Sequence, residues 1–374
     1  MHIVPVGVVA LAAIFLSSAF LSAYNLQILA QAFFYAVAAI TVDLLWGYTG
    51  ILSWGQSAFF GIGVYGIALA LAHYGGGALT GIAGVAVAVV AAAIVAAGVG
   101  WLSFWDGAPS FFVAVVTLAI PVVFTQVILS GGTYTGSSSG LPFPAPNVAP
   151  QQWYQISGAF LVCAAVAALI FVRSDAGRVL VAIRENEERC RYLGLKTARW
   201  KIALMAICGA LCALAGSLYA MFSSVAAPSY GDFIFGTELV IWTALGGRGT
   251  LIGPIVGAIF INYVSAVLGG NLPFLWLLIV GLIFIFVVIY LPRGFVPPLV
   301  AGISGALGTM SGIRLRPRAP GSRTRREPAV VAADGGSAEL SHEVAMGAAL
   351  AGAHAAEGEP VLSLRGVSKS YGSL

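Results

Sequence analysis

The stretch GYTGILSWGQSAFFGIGVYG, residues 47–66, lies in a long apolar region but is unusual for one. Six of its twenty residues are glycine, and Thr49, Ser53, Gln56 and Ser57 are polar. A segment that only anchors a protein in lipid would be rich in leucine, isoleucine and valine throughout. Glycines allow a helix to bend or unwind, and irregular backbone at membrane depth occurs where it lines a cavity or is covered by protein. The stretch therefore predicts a membrane segment that does more than anchor the chain.

The composition around this stretch is that of a membrane protein with many spans. Of the 374 residues, 59% are hydrophobic and only 9% are charged, whereas ordinary soluble domains carry about a quarter charged residues. We predict an all-α, polytopic transmembrane helical bundle of about ten spans, since each needs about 20 apolar residues. Counts of about eight or nine are the alternatives, because one candidate is short and another is interrupted. The candidates are 4–24, 26–46, 48–72, 79–100, 110–130, 156–172, 201–223, 234–247, 250–268 and 273–291.

The basic residues are concentrated in one loop and in the C-terminal tail. No lysine or arginine precedes Arg173, whereas residues 173–201 contain eight lysines and arginines against four acidic residues. The positive-inside rule places this loop in the cytoplasm, together with Arg248 and the tail from Arg293. The uncharged loop 131–155 then lies on the outer side of the membrane. Since these charges flank membrane spans, they do not indicate nucleic-acid binding.

The middle of the basic loop is predicted to be helical. Two acid-before-base pairs lie four residues apart, Glu185 with Arg189 and Glu187 with Arg191, and each adds a few tenths of a kcal/mol to a helix. Gly194 is a natural stop for this helix, and Thr197 a natural cap for the next one. A short helix held between two spans can dock a cytoplasmic partner; the alternative is a solvated helix beside the membrane.

Two further features of the spans are informative. Gly249, Gly253 and Gly257 form two GxxxG steps, which predict a smooth strip on one helix face for close helix packing. Glu238 lies in an apolar segment, and an ionised carboxylate at mid-bilayer costs roughly 2.5–3.5 kcal/mol, so it is expected to face the bundle interior. Polar lining and flexible helices together indicate transport. The hypothetical substrate path consists of Ser53, Gln56, Ser57 and Glu238, and a packing role is the alternative for each.

Four blocks of the chain follow one another in the order GYTGILSWGQSAFFGIGVYG, GGTYTGSSSGL, AIRENEERCRYLGLKTARWKIALMAICGALCALAGSLYA and LGGRGTLIGPIVGA. Together they resemble the permease subunits of branched-chain amino-acid ABC importers. The resemblance extends from about residue 25 to residue 298. Short-chain amide and urea permeases resemble the same blocks, so they are the alternative.

The resemblance implies a multi-pass protein of the bacterial plasma (inner) membrane with several partners. Such permeases work as a pair of homologous membrane subunits, with two cytoplasmic ABC ATPase subunits below and a periplasmic or lipid-anchored substrate-binding protein above. ATP and magnesium belong to the ATPases, so this chain is expected to hold no cofactor and no metal, and to carry no catalytic residues. Leucine, isoleucine and valine are the expected substrates, followed by other apolar amino acids and then by urea or small amides.

The resemblance also assigns roles to two segments. Residues 173–201 match the coupling segment, whose short helix sits in a groove of the ATPase. Residues 47–66 match the span near the gate. Two positions depart from the family pattern, because Asp43 stands where asparagine is common and Gln56 where histidine is common. The expected coupling residues are Arg184, Glu185, Asn186, Glu187, Glu188 and Gly194.

The C-terminal tail predicts two further regions after the permease domain, which we assign to residues 1–298. Residues 299–359 have the composition of a disordered linker, with six arginines between Arg314 and Arg326. Residues 360–374, PVLSLRGVSKSYGSL, resemble the first strand of an ABC ATPase, with Tyr371 at the position that stacks on adenine. The chain contains no G-x-x-x-x-G-K-[ST] phosphate loop. We therefore expect a truncated permease–ATPase fusion, or a broken reading frame, that does not hydrolyse ATP.

Two other functional classes are weighed against the permease. A membrane-embedded enzyme would need a catalytic constellation, but no histidine falls at metal or triad spacing. An ion-coupled secondary transporter could use Glu238 and Asp43 as proton or ion sites; uptake that persists without ATP and collapses with the ion gradient would favour it. The histidines are His2, His73, His342 and His354, and the four cysteines, for which packing roles are expected, are Cys163, Cys190, Cys208 and Cys212.

Overall fold

The computed structural model of the protein describes residues 3–104, 110–144, 146, 148–271 and 281–282. These residues form eleven α-helices, three short 3-10 turns and one pair of two-residue strands. The helices are α1 (Ile3–Ser17), α2 (Ala23–Thr49), α3 (Gln56–Tyr74), α4 (Ala78–Phe104), α5 (Ser110–Ser130), α6 (Pro150–Arg173), α7 (Asp175–Glu185), α8 (Glu187–Tyr192), α9 (Thr197–Ser223), α10 (Phe233–Gly246) and α11 (Ile252–Asn271). The strands are β1 (Leu141–Pro142) and β2 (Val225–Ala226), and the 3-10 turns are Gly132–Tyr134, Ser137–Ser139 and Pro228–Gly231.

The prediction of an all-α membrane bundle is confirmed. Seven helices in the described part of the chain are long and apolar enough to cross a membrane: α2, α3, α4, α5, α6, α9 and α11. Two shorter apolar segments, Gly7–Ser17 in α1 and Phe233–Gly246, which is α10, accompany them. The predicted span 273–291, apart from residues 281 and 282, lies outside the described residues, as do the predicted linker 299–359 and the predicted ATPase segment 360–374.

The interrupted span predicted at 48–72 divides differently from the prediction. Residues 48 and 49 end α2, residues 50–55 are not helical, and α3 begins only at Gln56. Gly50 terminates α2 in the left-handed conformation, with φ +76°, which glycine adopts without a steric penalty. We call residues 50–55 the α2–α3 junction.

Helix α2 forms the centre of the bundle. It is buried along most of its length and packs against α6, α9, α10 and α11. Aromatic rings from four helices meet around Tyr35 of α2, whose ring centroid lies 5.5 Å from that of Trp242 and 5.1 Å from that of Tyr219. Such ring pairs contribute beyond the area that they bury.

Glycines allow α3 and α9 to pack backbone against backbone. A β-carbon on Gly63 would strike the carbonyl group of Ala213, and one on Gly216 would strike the carbonyl oxygen of Phe60. Ser217 Oγ donates to the Gly63 carbonyl oxygen across the same contact at 3.0 Å. Gly63 therefore lies in a regular helix and allows α9 to approach α3 closely. The bend predicted for residues 47–66 occurs at the α2–α3 junction instead.

The bundle has two distinct ends. At one end β1 pairs antiparallel with β2, with Leu141 opposite Ala226; we call it the strand end. At the other end α7 and α8 connect α6 to α9; we call it the charged end, since residues 173–201 lie there. Helices α2 and α6 run from the strand end to the charged end, and α9 runs back.

The glycine strip on α11 is shorter than predicted. Gly253 and Gly257 lie on α11, and β-carbons there would strike the backbone of α10 and of the turn after it, at Gly246 and Trp242 among other residues. Gly249 lies before α11, in the turn after α10, with φ +76°. The prediction of one helix face carrying all three glycines is therefore wrong for Gly249, because a left-handed residue cannot continue a helix.

Candidate functional site

The predicted path residues of the 47–66 stretch meet at the α2–α3 junction. Ser53, Gln56 and Ser57 are 1%, 1% and 0% exposed. Gln56 Oε1 accepts a hydrogen bond from Thr41 Oγ1 of α2 at 3.1 Å, and the Gln56 carbonyl oxygen accepts from Cys212 Sγ of α9 at 3.2 Å. The start of α3 is thus held between α2 and α9.

These contacts place the junction deep in the bundle. Thr41 lies eight residues before the end of α2 at Thr49, which is about 12 Å at 1.5 Å per residue. Cys212 lies fifteen residues after the start of α9 at Thr197, about 22 Å by the same measure. The non-helical backbone therefore returns from the charged end towards the middle of the bundle before α3 begins. Irregular backbone at such depth is tolerated where protein covers it.

Helix α10 and helix α5 cover the junction. A β-carbon on Gly236 of α10 would stand 2.8 Å from both Ser57 Oγ and the Trp54 carbonyl oxygen. The Trp54 N–H donates to Thr117 Oγ1 of α5 at 3.3 Å. Glu238, the fourth predicted path residue, lies two residues beyond Gly236 on α10 and is half-buried. No hydrogen bond joins it to the other three within the described residues.

The predicted coupling segment forms two short helices with a break between them. Ser174 caps α7 by accepting from the Gly177 N–H at 3.4 Å, and Asn186 caps α8 by accepting from the Arg189 N–H at 2.8 Å. Asn186 itself has φ −157° and ψ 96°, which ends α7. The predicted pair of Glu185 with Arg189 spans this break, and no bond joins the two side chains among the described residues. The segment therefore forms two capped helices and not one continuous helix.

Glu187 holds the coupling segment onto the start of α9. Its carboxylate accepts from Arg191 at 2.8 Å, from Thr197 Oγ1 at 3.0 Å and from the buried Lys201 Nζ at 2.5 Å. Burial raises the pKa of Glu187, but the hydrogen bond and charge of Lys201, with hydrogen bonds from Arg191 and Thr197, lower it below its ordinary 4.5. Thr197 is the first residue of α9, and Lys196, not Thr197, occupies the cap position.

The outer face of the coupling segment remains open. Glu185, Asn186 and Glu188 are exposed, whereas Leu180 and Ile183 on the other face of α7 are buried. Gly194 follows α8 and has φ +84°. A β-carbon at this position would meet nothing within 4 Å. The exposed face carries polar groups, with open space at Gly194.

Asp43 lies in a cluster that sequence reasoning did not identify. This aspartate of α2 is 0% exposed, and its two carboxylate oxygens accept from the N–H groups of Gly249 at 2.5 Å and Leu251 at 3.0 Å. Tyr48 Oη donates to the Gly249 carbonyl oxygen at 3.1 Å. Asp43 is thus fully engaged in holding the α10–α11 turn against α2.

Arg184 joins this cluster to the coupling segment. Its guanidinium donates to the carbonyl oxygen of Gly47, near the end of α2. The guanidinium of Arg248, in the α10–α11 turn, lies 5.4 Å from the ring centroid of Trp46 on the same helix. The end of α2 therefore contacts both α7 and the α10–α11 turn. No sequence pattern pairs residue 43 with residue 249, although an acid near the end of an apolar span was a visible signal.

In the described part of the chain, no three or more histidine, cysteine, aspartate or glutamate side chains are grouped so that they could hold a metal ion. The cysteines there are free, with Cys190, Cys208 and Cys212 buried and Cys163 exposed.

Comparison with known proteins identifies the family. Residues 24–288 match the family model described as "Branched-chain amino acid transport system / permease component". The chain is 26% identical over 300 residues to the high-affinity branched-chain amino acid transport system permease protein LivM of Escherichia coli, covering 70% of this chain and 68% of LivM. It is 25% identical over 310 residues to LivM of Salmonella typhimurium, covering 73% and 70%.

More distant permeases match shorter parts of the chain. The autoinducer 2 import system permease protein LsrC of Photorhabdus laumondii is 28% identical over 185 residues, which covers 44% of this chain and 52% of LsrC. No solved structure matches the chain. The resemblance predicted from the four sequence blocks is confirmed by a family match that covers most of the membrane bundle. The chain therefore belongs to the family of branched-chain amino acid transport system permease components.

Proposed function

We propose that this chain is the membrane subunit that forms the substrate path of an ATP-driven importer for branched-chain amino acids. The family match over residues 24–288 carries the proposal, and the two LivM relatives, named as high-affinity branched-chain amino acid permeases, support the substrate class. Leucine, isoleucine and valine are accordingly the proposed substrates. The chain itself performs no chemistry in this proposal.

The proposed assembly contains a second permease subunit, two ABC ATPase subunits and a substrate-binding protein. ATP hydrolysis belongs to the ATPases, because the 374 residues contain no phosphate loop. The assembly lies in the bacterial plasma membrane, with the charged end in the cytoplasm by the positive-inside rule. The exposed face of α7 and α8 then points towards the ATPases, and the strand end points towards the binding protein.

The contacts at the charged end suit a coupling role. Arg184 of α7 is bonded to Gly47 of α2, and Asp43 and Tyr48 of α2 are bonded to the α10–α11 turn. A displacement of α7 by the ATPases would therefore move α2 and the α10–α11 turn with it. The free energy that switches the bundle between its outward-open and inward-open states comes from the different affinities of ATP and of the binding protein for these two states.

An ion-coupled secondary transporter is the second candidate, favoured only by the half-buried Glu238 on α10. Asp43 gives it little support, because both of its carboxylate oxygens already accept backbone N–H groups. Leucine uptake that continues without ATP and stops when the ion gradient collapses would favour this candidate over the importer.

The test of the coupling role is the substitution Gly194→Arg in the assembled transporter. We expect ATP-driven leucine uptake to be abolished while the chain reaches the membrane in normal amounts. The backbone strain of a side chain at φ +84° is about 1–2 kcal/mol, and space surrounds the position, so the fold survives and only docking is blocked.

The matched control is Gly132→Arg at the strand end. Gly132 also has a positive φ, +57°, and open space around a β-carbon, so the substitution adds the same strain and charge away from the coupling segment. Co-purification of the ATPase subunits with the chain is expected to be normal in this variant and to be lost in Gly194→Arg. Normal ATP-driven uptake in Gly194→Arg would contradict the coupling role.

A further inference from the structure

The start of α3 holds buried hydrogen-bond donors that lack acceptors. Ser53 Oγ and Gln56 Nε2 have no hydrogen-bond partner within the described residues, although both side chains are 1% exposed. Gly55, the residue before α3, makes no side-chain cap bond to the first N–H groups of the helix. A buried polar group without a partner is costly and calls for an explanation.

These donors point to a negatively charged ligand. The first N–H groups of a helix carry a partial positive charge and form a natural anion site. Helix α3 has 19 residues, and its cap residue, Gly55, has no side chain that could accept from them. Ser53 Oγ lies beside this first turn, 3.8 Å from the position of a β-carbon on Gly55. Gln56 turns its Oε1 to Thr41, which leaves the amide N–H₂ as a further donor.

Aromatic rings lie near the start of α3, together with the hydroxyl groups of Thr41 and Thr117. Phe60 of α3 and Phe235 of α10 lie in contact, with ring centroids 5.2 Å apart, and the ring of Trp54 lies 5.7 Å from that of Phe233. A ligand with a carboxylate on an apolar, branched body would match donors at the helix start and aromatic surfaces beside them.

We propose that the α2–α3 junction and the start of α3 form a subsite for the α-carboxylate of the transported amino acid. The inference rests on the proposed function, since it assigns a chemical role to part of its substrate path. The carboxylate accepts from the backbone N–H groups of residues 56–58, from Ser53 Oγ and from Gln56 Nε2. Because α10 covers the junction at Gly236 and α5 covers it at Thr117, the carboxylate reaches the subsite when these helices move away.

A ligand-binding experiment tests the subsite without relying on uptake. The assembled transporter is heated with 4-methylpentanoate, which has a carboxylate on a branched apolar chain, or with 3-methylbutylamine, which has a similar chain and a cation. A ligand that binds the folded state raises the melting temperature. We expect 4-methylpentanoate to raise it and 3-methylbutylamine to leave it unchanged, and the shift to disappear in Gln56→Glu.

Leucine uptake provides the second measurement. Gln56→Glu places a carboxylate where the substrate's carboxylate would bind, and Ser53→Ala removes one donor. A lost hydrogen bond to a charged group corresponds to a decrease of about tenfold or more in uptake. Gln155→Glu is the control, because Gln155 also lies on a bundle helix, α6, with Nε2 bonded to Ser18 Oγ at 3.1 Å, and α6 packs against α1 and α2.

The outcomes separate the subsite from the proposed function. Equal thermal shifts with the anion and the cation, or full uptake in Gln56→Glu, would overturn the subsite. If the wild-type transporter takes up no leucine but 4-methylpentanoate still stabilises it selectively, the importer proposal fails and the carboxylate subsite stands. A merely structural role for Gln56 would lower the melting temperature of Gln56→Glu without any selectivity between the two ligands.

Discussion

Asp43 holds the α10–α11 turn against α2 at the charged end of the bundle. A buried carboxylate is costly unless hydrogen bonds compensate for its desolvation. Two backbone N–H groups, of Gly249 and Leu251, provide that compensation. Glycine is required at position 249 because its φ of +76° turns the chain towards Asp43. Glycine is also required at position 47, where a β-carbon would collide with the Asp43 carboxylate.

We predict that Asp43→Asn destabilises the protein by about 1–3 kcal/mol, because one of the two N–H groups would face an amide N–H₂ instead of an acceptor. Thermal unfolding in detergent measures the change. The control is Asp232→Asn. Asp232 accepts from the Phe235 N–H at the start of α10, and asparagine caps a helix as well as aspartate does. Equal effects of the two substitutions would contradict the assigned role of Asp43.

Glu187 makes the attachment of the coupling segment dependent on pH. Its pKa in the folded protein lies below its ordinary 4.5, so its contribution to stability is complete above pH 4.5 and is lost as the pH falls through the lower, folded-state pKa. We predict that Glu187→Gln lowers the melting temperature at pH 7 and that the difference from the wild type shrinks below pH 4.5. A difference that grew on acidification would show that the sign is wrong.

At the scale of elements, the contact between α3 and α9 depends on the absence of side chains. Membrane helices gain little from the hydrophobic effect and associate through close van der Waals packing, for which small residues are needed. Gly63 and Gly216 provide it from opposite sides, each against the backbone of the other helix. The bond from Ser217 to Gly63 depends on the same approach.

We expect Gly63→Ala to destabilise the bundle by about 1–3 kcal/mol through overpacking. Gly98→Ala on α4 is the control, since a β-carbon there would meet nothing within 4 Å, and an alanine in a helix is more stable than a glycine by about 0.5–1 kcal/mol. The two melting temperatures should therefore change in opposite directions. A melting temperature for Gly63→Ala at or above that of the wild type would exclude close packing as the reason for this glycine.

The sequence predicted the helices better than the breaks between them. Apolar length and charge located the spans, because a bilayer fixes both requirements. The start of α3 at Gln56 and the break at Asn186 depend on hydrogen bonds to Thr41 and on a cap, respectively, which spacing does not reveal. The i,i+4 pairs of the coupling segment are compatible with one continuous helix. However, the few tenths of a kcal/mol that each pair contributes are less than the roughly 1 kcal/mol that a helix cap contributes.

The candidate site was predicted only in part for the same reason. Ser53, Gln56 and Ser57 were visible as polar residues in an apolar stretch, and their role as a substrate path stays a prediction. Asp43 is visible in the sequence as an acid near the end of an apolar span, but its partners lie more than 200 residues away, at separations of 206 and 208. Without a pattern that links such distant positions, a single sequence shows the charge but not its partner.

At the scale of the whole molecule, the two ends of the bundle are expected on opposite sides of the membrane. Tyr192, at the charged end, is 90% exposed, and Ser139, at the strand end, is exposed as well. In a cysteine-free background, we predict that Ser139→Cys reacts with an impermeant maleimide on intact spheroplasts. Tyr192→Cys should react only after the membrane is opened. The reverse pattern would invert the orientation given by the positive-inside rule.

The bond between α2 and the α10–α11 turn has a consequence for biogenesis. At about 5–20 residues per second, the ribosome needs roughly 10–40 s to proceed from Asp43 to Leu251. During that interval no backbone N–H group is yet available to bond the Asp43 carboxylate. The carboxylate must therefore stay near the membrane surface, be protonated or be shielded by the insertion machinery. The charged end can close only after the α10–α11 turn emerges. Chains that stall before that turn would leave an unpaired acid in the membrane, a defect by which quality-control proteases can recognise them.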